Sequence, residues 1–382
     1  MRRALHVLLI GLPALAAAQA PVRPAPAADS ADIDTVLFLI GDAGDPEPGG
    51  EPVLEALSRD VARDPGRSFV VFLGDNVYLH GLGAPDDPSR REMERRLDTQ
   101  VEAVKSAGGR GVFIPGNHDW GGAEGEAREG WESVRREQRR VDERGAPLVS
   151  FFPKDGCPGP DVQDVGEELR LVFLDSQWWL RSKGPKPVSP TSTCAAASPE
   201  EILAALKSAL VTAGARRVVV AAHHPLRSGG PHGGYFSFRQ HVFPLTEAKK
   251  WLWVPLPIIG SIYPLSRQNG GTPQDASGAL NQAMRKAFES AFQEHPPWVY
   301  AAGHEHALQV LQGESARHLL VSGAGIYSHE SGVRAIEGTR YASSEAGYMR
   351  LDVTRDGRAR LGVVEVDKKG KAREAYSEWL AP

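Results

Sequence analysis

The sequence predicts an α/β fold, and three observations carry that expectation. Short apolar runs rich in β-branched and aromatic residues recur along the chain, with amphipathic helical stretches between several of them. The runs are apolar at consecutive positions instead of alternating, which is the pattern of strands buried on both faces. Five of them stop at a carboxylate, an amide or an imidazole, at the carboxyl strand ends where open α/β sheets place their ligands.

In chain order, Met1-Arg2-Arg3, the apolar centre Ala4 to Ala17 and the small-residue site Ala18-Gln19-Ala20 predict a secretory signal peptide over residues 1–20. The apolar centre is too short to span a bilayer, so cleavage leaves no transmembrane segment and a secreted or periplasmic protein. Residues 21–31 read as a Pro/Ala-rich leader, and 32–382 as one domain with an insertion at about 227–274.

The first strand, Thr35 to Ile40, ends in Gly41-Asp42, and Val53, Leu54, Leu57 and Val61 then predict a helix opened by Pro52. Ser68 to Leu73 ends in Gly74-Asp75-Asn76-Val77-Tyr78. A second helix carries Met93, Leu97, Val101 and Val104, and the next strand ends in Gly116-Asn117-His118-Asp119. The charged stretch Glu124 to Arg144 reads as an exposed helix over the rim of the site. Leu169 to Asp175 is a strand followed by Trp178-Trp179, which read as core residues. Ser198-Pro199-Glu200-Glu201 reads as a capping box opening a helix through Leu210. Arg217 to Ala222 then ends in His223-His224.

Between Arg227 and Gln274 the alternation breaks. Trp251 to Gly260 is apolar, interrupted by proline and too short to span a membrane, so the expectation is buried packing. A helix with Leu280, Met284, Phe288 and Phe292 restores the pattern, and Trp298 to Ala302 ends in Gly303-His304-Glu305-His306. The remainder is strand-rich, with a hairpin at Asp356-Gly357.

A net charge of −4 argues against nucleic acid as the main partner. Cys157 and Cys194 are the only cysteines, and in an oxidising compartment they are expected to pair. Their spacing does not suit a zinc-thiolate site.

Asp42, Asp75, Asn117, His223, His304 and His306 offer enough oxygen and nitrogen donors for two metal ions if Asp75 bridges them. Taken in order, the Gly-Asp, Gly-Asp-Asn, Gly-Asn-His-Asp, His and Gly-His-Glu-His pieces resemble the calcineurin-like metallophosphoesterases. Tyr78, three residues after Asp75, resembles the purple acid phosphatase branch, in particular its small tartrate-resistant type. His232, nine residues past His223, and Val321-Ser322-Gly323-Ala324-Gly325 extend the likeness. The sequence departs from the pattern at an insertion from Pro244 to Thr272 and at His224, where tyrosine is common in those enzymes.

The resemblance implies a four-layer α/β/β/α sandwich of two mixed sheets. It implies Asp42, Asp75, Tyr78 and His306 on one ion, and Asp75, Asn117, His223 and His304 on the other. A phenolate with carboxylates suits Fe(III), and the amide with two imidazoles suits divalent Fe, Zn or Mn. Catalytic roles fall to His118, facing the leaving group with Asp119 as its orienting partner, and to His232, beside the phosphate. Asp45, His80 and His224 are expected as bystanders. The implied reaction is hydrolysis of phosphate monoesters of small molecules by a metal-bound hydroxide. Two alternatives stay open: a phosphodiesterase or nucleotide and pyrophosphate hydrolase, and a secreted metal-containing binding protein without turnover. The oligomeric state is not fixed by the sequence.

Overall fold

The computed structural model describes residues 24–381 except 122–129, 183, 247–250 and 328–330. The signal peptide expected at residues 1–20 lies outside the described residues.

Among the described residues, fourteen strands form two seven-stranded mixed sheets. The first contains β1 (Ile33–Ile40), β2 (Ser68–Phe72), β3 (Arg110–Phe113), β4 (Val149–Phe151), β12 (Gly347–Thr354), β13 (Ala359–Val366) and β14 (Ala372–Leu380), in the order β14-β13-β12-β1-β2-β3-β4. The second contains β5 (Asp161–Val165), β6 (Leu169–Phe173), β7 (Arg217–Ala221), β8 (Val299–Ala302), β9 (Leu308–Gln312), β10 (His318–Ser322) and β11 (Thr339–Ser343), in the order β11-β9-β10-β8-β7-β6-β5.

The consecutive apolar positions are explained by two-sided burial. Leu37, Leu39, Phe69, Val71 and Val112 meet Leu171, Phe173, Val219 and Val299 of the other sheet in one buried cluster. Their neighbours Phe38, Ile40, Val70, Phe72 and Phe113 turn outward onto helical residues such as Val53, Leu57, Leu97 and Val101. Helices α1 (Pro52–Val61), α2 (Arg90–Lys105) and α3 (Gly130–Gly145) cover the first sheet. Helices α4 (Ser176–Leu180), α5 (Pro199–Val211) and α8 (Ala279–Phe292) cover the second, with Phe292 of α8 against Tyr300 of β8. The expected four-layer sandwich is therefore the observed one.

Register sets the site. Strands β1, β2 and β3 are parallel neighbours with Ile40 opposite Phe72 and Phe72 opposite Phe113, so their carboxyl ends finish together. Strands β7 and β8 are likewise parallel, with Ala221 opposite Ala301. Asp75 thus follows the middle strand of three.

Several expectations need correction. Helix α3 is not simply a solvated rim: it buries Val134, Glu137, Gln138 and Val141, and Arg140 forms a two-bond fork with Asp98 at 2.8 and 2.6 Å. Residues 124–129 of the expected span lie outside the described ones. The capping box at α5 is half formed: Ser198 accepts from the Glu201 N–H, but the Glu201 carboxylate turns to Ala197 N and Ser189 Oγ. The insertion segment expected to be buried is largely exposed, with Trp251, Ile258 and Ile259 at 71%, 87% and 66%. Its prolines break regular backbone pairing, and the α-helices among its described residues are short: α6 (Phe238–Val242) and α7 (Ile262–Gln268).

Trp178 is buried and Trp179 packs edge-on against Phe288, as expected of core residues. Cys157 and Cys194 form a disulfide with Cα atoms 5.6 Å apart. Closing that 37-residue separation stabilises the fold by up to about 4 kcal/mol in the chain-entropy model.

Candidate metal centre

Five strand ends meet because glycine removes the side chains that would hold them apart. Gly74 has φ +91°, and a Cβ there would lie 2.6 Å from His223 Nδ1. At Gly116 a Cβ would come within 2.3 Å of Asp75 N and Oδ1. The residues delivered are themselves strained: Asp42, Asp75 and His304 have φ of 58°, 55° and 66°, a left-handed backbone that costs about 1–3 kcal/mol each. Hydrogen bonds offset part of this, since Asp42 Oδ2 accepts from His304 N at 2.8 Å and Asp75 Oδ1 accepts from His118 N at 2.8 Å.

The seven residues expected as ligands converge into two clusters joined by Asp75. On one side Tyr78 Oη lies 3.2 Å from each of Asp42 Oδ1, Asp75 Oδ2 and His306 Nε2. On the other, Asn117 Oδ1 lies 3.0 Å from His223 Nε2 and 2.9 Å from His304 Nδ1, and Asp75 Oδ1 is 3.4 Å from His223 Nε2. The two oxygens of one carboxylate thus face different donor sets.

The proton inventory of each cluster tests whether cations fit. His223 Nδ1 donates to the Leu73 carbonyl at 2.8 Å and His304 Nε2 donates to the Gln274 carbonyl at 3.0 Å. Their remaining nitrogens, 3.2 Å apart, aim lone pairs at one another and at the Asn117 oxygen. In the other cluster the Tyr78 hydroxyl faces two carboxylates and the His306 imidazole. With the rings neutral, both clusters offer more lone pairs than protons, the condition a metal ion relieves. Anchoring the second ring nitrogen on a backbone carbonyl is also how ligating histidines are fixed in orientation and tautomer.

The electrostatics agree. Burial alone would raise the Asp75 carboxyl, but His223 and His118 beside it hold it far below the ordinary range. Burial would lower His223, yet the Asp75 and Asp42 carboxylates push it up to about 9, the same negative field that would attract a cation there. Burial and then His232, His224 and His223 push His304 well down, keeping it neutral as a ligand must be. Burial and the charges of Asp75 and Asp42 raise the Tyr78 phenol well above its ordinary value, so ionising it calls for a strong Lewis acid.

His118 is not part of either cluster. Its Nδ1 lies 2.7 Å from the Leu79 carbonyl and its Nε2 points to the site, 4.0 Å from Asp75 Oδ2. The expectation that Asp119 orients this ring is corrected. The Asp119 carboxylate accepts from Asn76 N, Val77 N, Gly116 N and Asn76 Nδ2 at 2.7–3.0 Å, and so builds the loop instead. His232 packs against His304 with the rings tilted by 45° and their centroids 3.9 Å apart, and its Nδ1 lies 2.9 Å from Asp275 Oδ1.

His224 groups with His223 and His304, but its nitrogens are taken by Ser176 Oγ at 2.8 Å and Gln274 Oε1 at 2.7 Å, which removes it as a ligand. Asp45 pairs with Arg96 and His80 with the Gly121 carbonyl, both away from the clusters. Sequence reasoning missed Gln274, Asp275 and Arg267, which stand behind His304, His224 and His232. No motif marks them. The one available signal was a polar Gln-Asp pair directly after the apolar insertion.

The calcineurin-like phosphoesterase family model matches residues 35–308. Purple acid phosphatase 4 of Arabidopsis thaliana is 26% identical over 250 residues, which are 64% of this chain and 66% of that relative, slightly under two thirds of its length. Among solved structures, purple acid phosphatase PPD1 from yellow lupin seeds superposes with a TM-score of 0.50 at 11% identity, covering 90% of this chain and 53% of that one. GAP50, described as the anchor in the inner membrane complex of Plasmodium, gives 0.52 at 15% identity, covering 91% and 89%. The structural likenesses carry the fold. The family match spans well over half the chain, which therefore belongs to the calcineurin-like phosphoesterases.

Proposed function

We propose that the chain is an exported, binuclear-metal phosphohydrolase of the purple acid phosphatase type that cleaves phosphate monoesters. The observation that carries this reading is the Asp75 carboxylate, whose Oδ2 faces Tyr78 and whose Oδ1 faces His223. In the proposal Asp42, Asp75, Tyr78 and His306 hold Fe(III), while Asp75, Asn117, His223 and His304 hold a divalent Fe, Zn or Mn ion. When bound, such a pair supplies Lewis acidity toward a phosphoryl group and lowers the pKa of water.

The chain's own residues do the rest. Leu79 fixes the His118 ring through Nδ1, so a protonated ring presents its Nε2–H to the site and passes that proton to the leaving alkoxide. Asp275 holds Nδ1 of His232, so that the ring in its imidazolium form has Nε2–H left to donate to a phosphoryl oxygen. Glycine-lined strand ends and the buried Asp42, Asp75 and His304 keep the groups from rearranging during turnover. A leaving-group acid held this way supports an enzyme over a protein that merely keeps a metal site.

The test is turnover of p-nitrophenyl phosphate against bis(p-nitrophenyl) phosphate by the metal-loaded protein. The monoester is expected to be preferred in kcat/KM by at least about 10-fold; preference for the diester makes the chain a phosphodiesterase. A second expected result is optical. The iron-loaded protein should absorb in the visible through phenolate-to-Fe(III) charge transfer, and Tyr78→Phe should abolish that band. An unchanged spectrum removes Tyr78 from the ligand set.

A further inference from the structure

His232 lies on a loop whose composition would not hold a side chain still by itself. Gly229, Gly230, Gly233 and Gly234 surround it, and Pro231 to Gly233 form a single 3₁₀ turn. The fold pins this loop from three directions. His232 N donates to the buried Glu305 carboxylate at 3.0 Å, the His232 carbonyl accepts from Ala276 N at 2.8 Å, and the ring Nδ1 meets Asp275 Oδ1 at 2.9 Å. The first two fix the backbone; the third acts on the ring.

Asp275 is held in turn. It is buried, and the Arg267 guanidinium of α7 forks onto it, with Nε donating to Oδ2 at 2.8 Å and Nη2 donating to Oδ1. Arg267 Nη2 also lies 3.0 Å from His232 Nδ1, so both members of the ion pair meet the same ring nitrogen. Burial alone would raise the Asp275 carboxyl, but hydrogen bonds from Arg267 and His232 hold it below the ordinary range. The turn that carries it is tied to α8, since Asn281 Nδ2 donates to the Gln274 carbonyl at 3.4 Å and Arg285 Nη2 to the Ala276 carbonyl at 2.7 Å. Adjacent residues of this turn thus serve two histidines, the Gln274 carbonyl anchoring His304 and the Asp275 carboxylate anchoring His232.

Stability alone does not account for the pair. A buried ion pair adds little over apolar side chains of similar volume, and the Arg267 guanidinium already lies 5.5 and 5.7 Å from the Phe236 and Tyr263 rings, where an apolar residue would pack. What the pair supplies is a carboxylate of fixed orientation on one nitrogen of a ring whose other nitrogen, Nε2, makes no hydrogen bond among the described residues. We propose that Asp275 and Arg267 are positioning residues for phosphate binding, which together turn Nδ1 of His232 inward and so present Nε2 to a phosphoryl oxygen. Through Arg267 the insertion is then a working part of the site. The phosphate role rests on the phosphohydrolase reading; the hold on the ring does not.

The experiment is a double-mutant cycle on the metal-loaded protein, read as the dissociation constant of inorganic phosphate by calorimetry and as KM and kcat for p-nitrophenyl phosphate. His232→Ala and Asp275→Ala should each weaken phosphate binding by about 10-fold. The double variant should be no worse than His232→Ala, because a residue that acts through the ring has nothing to act on once the ring is gone. All three should keep the metal content of the parent and raise KM more than they lower kcat. Asp275→Ala leaves the Arg267 cation without its anion, so Asp275→Ala combined with Arg267→Met is the second variant, and it should show the same loss of about 10-fold.

Phosphate binding that Asp275→Ala leaves unchanged, losses that add in the double variant, or loss of metal from Asp275→Ala overturns the positioning roles, the last two by assigning Asp275 to the fold or to the centre itself. Turnover by the parent in any of these cases leaves the hydrolase intact. Coupled losses of phosphate binding in a parent that turns over no phosphoester support the positioning roles and overturn the hydrolase.

Discussion

Asp75→Asn is expected to strip both ions at once and to lower phosphomonoester turnover by on the order of 10³-fold or more. The reason lies in the position of strand β2 between β1 and β3, which puts one carboxylate between two donor sets instead of beside one. The substitution keeps an oxygen that can still accept from His118 N, so the fold has little cause to fail. What disappears is the negative charge that both donor sets share, and with it much of the attraction for each cation. Metal analysis of the purified variant checks this directly. Two ions per chain after substitution would show that each cluster holds its ion alone and that the bridge is incidental.

The second large effect is kinetic. His118→Asn should reduce turnover by about 10²- to 10⁴-fold, the usual contribution of a positioned general acid, while metal content stays at the parent level. The loss should be smallest for p-nitrophenyl phosphate, whose leaving group needs no proton, and larger for an alkyl phosphate. The Leu79 carbonyl fixes which nitrogen faces the site, so the asparagine amide can fill space but cannot supply the proton. An equal loss for both leaving groups would assign His118 to binding, and loss of metal would make it a ligand.

The strand ends were legible from sequence for a physical reason. A strand buried on both faces must be apolar at every position, so the abrupt change from Ile40 to Gly41-Asp42, or from Leu73 to Gly74-Asp75, leaves a mark that no surface strand leaves. The edge strands were harder. β5 (Asp161–Val165) and β14 (Ala372–Leu380) have one partner each and carry charges such as Asp164, Arg373 and Glu374, so their patterns look like loops. The contacts made by the supports of the site were not legible. Gln274 reaches His304 through a backbone carbonyl and His224 through its side chain, 30 and 50 residues away, and Asp119 acts through four N–H groups of neighbouring loops. Interactions of that kind have no period and no preferred residue type. The apolar insertion misled because hydrophobicity says that a segment avoids water but not what it meets instead.

The sheet order has a bearing on how such a chain comes to exist. Every residue assigned to the metal centre has been made once His306 leaves the ribosome, yet β1, which delivers Asp42, lies between β2 and β12 (Gly347–Thr354). Until that late strand arrives, β1 offers an open backbone ladder on one side and Leu37 and Leu39 have lost neighbours such as Met349 and Leu351. A nascent or clipped chain ending near residue 340 would therefore hold the full set of donors without the wall that aligns the first of them. The strand that carries Asp42 is thus walled by a segment that supplies none of the donors.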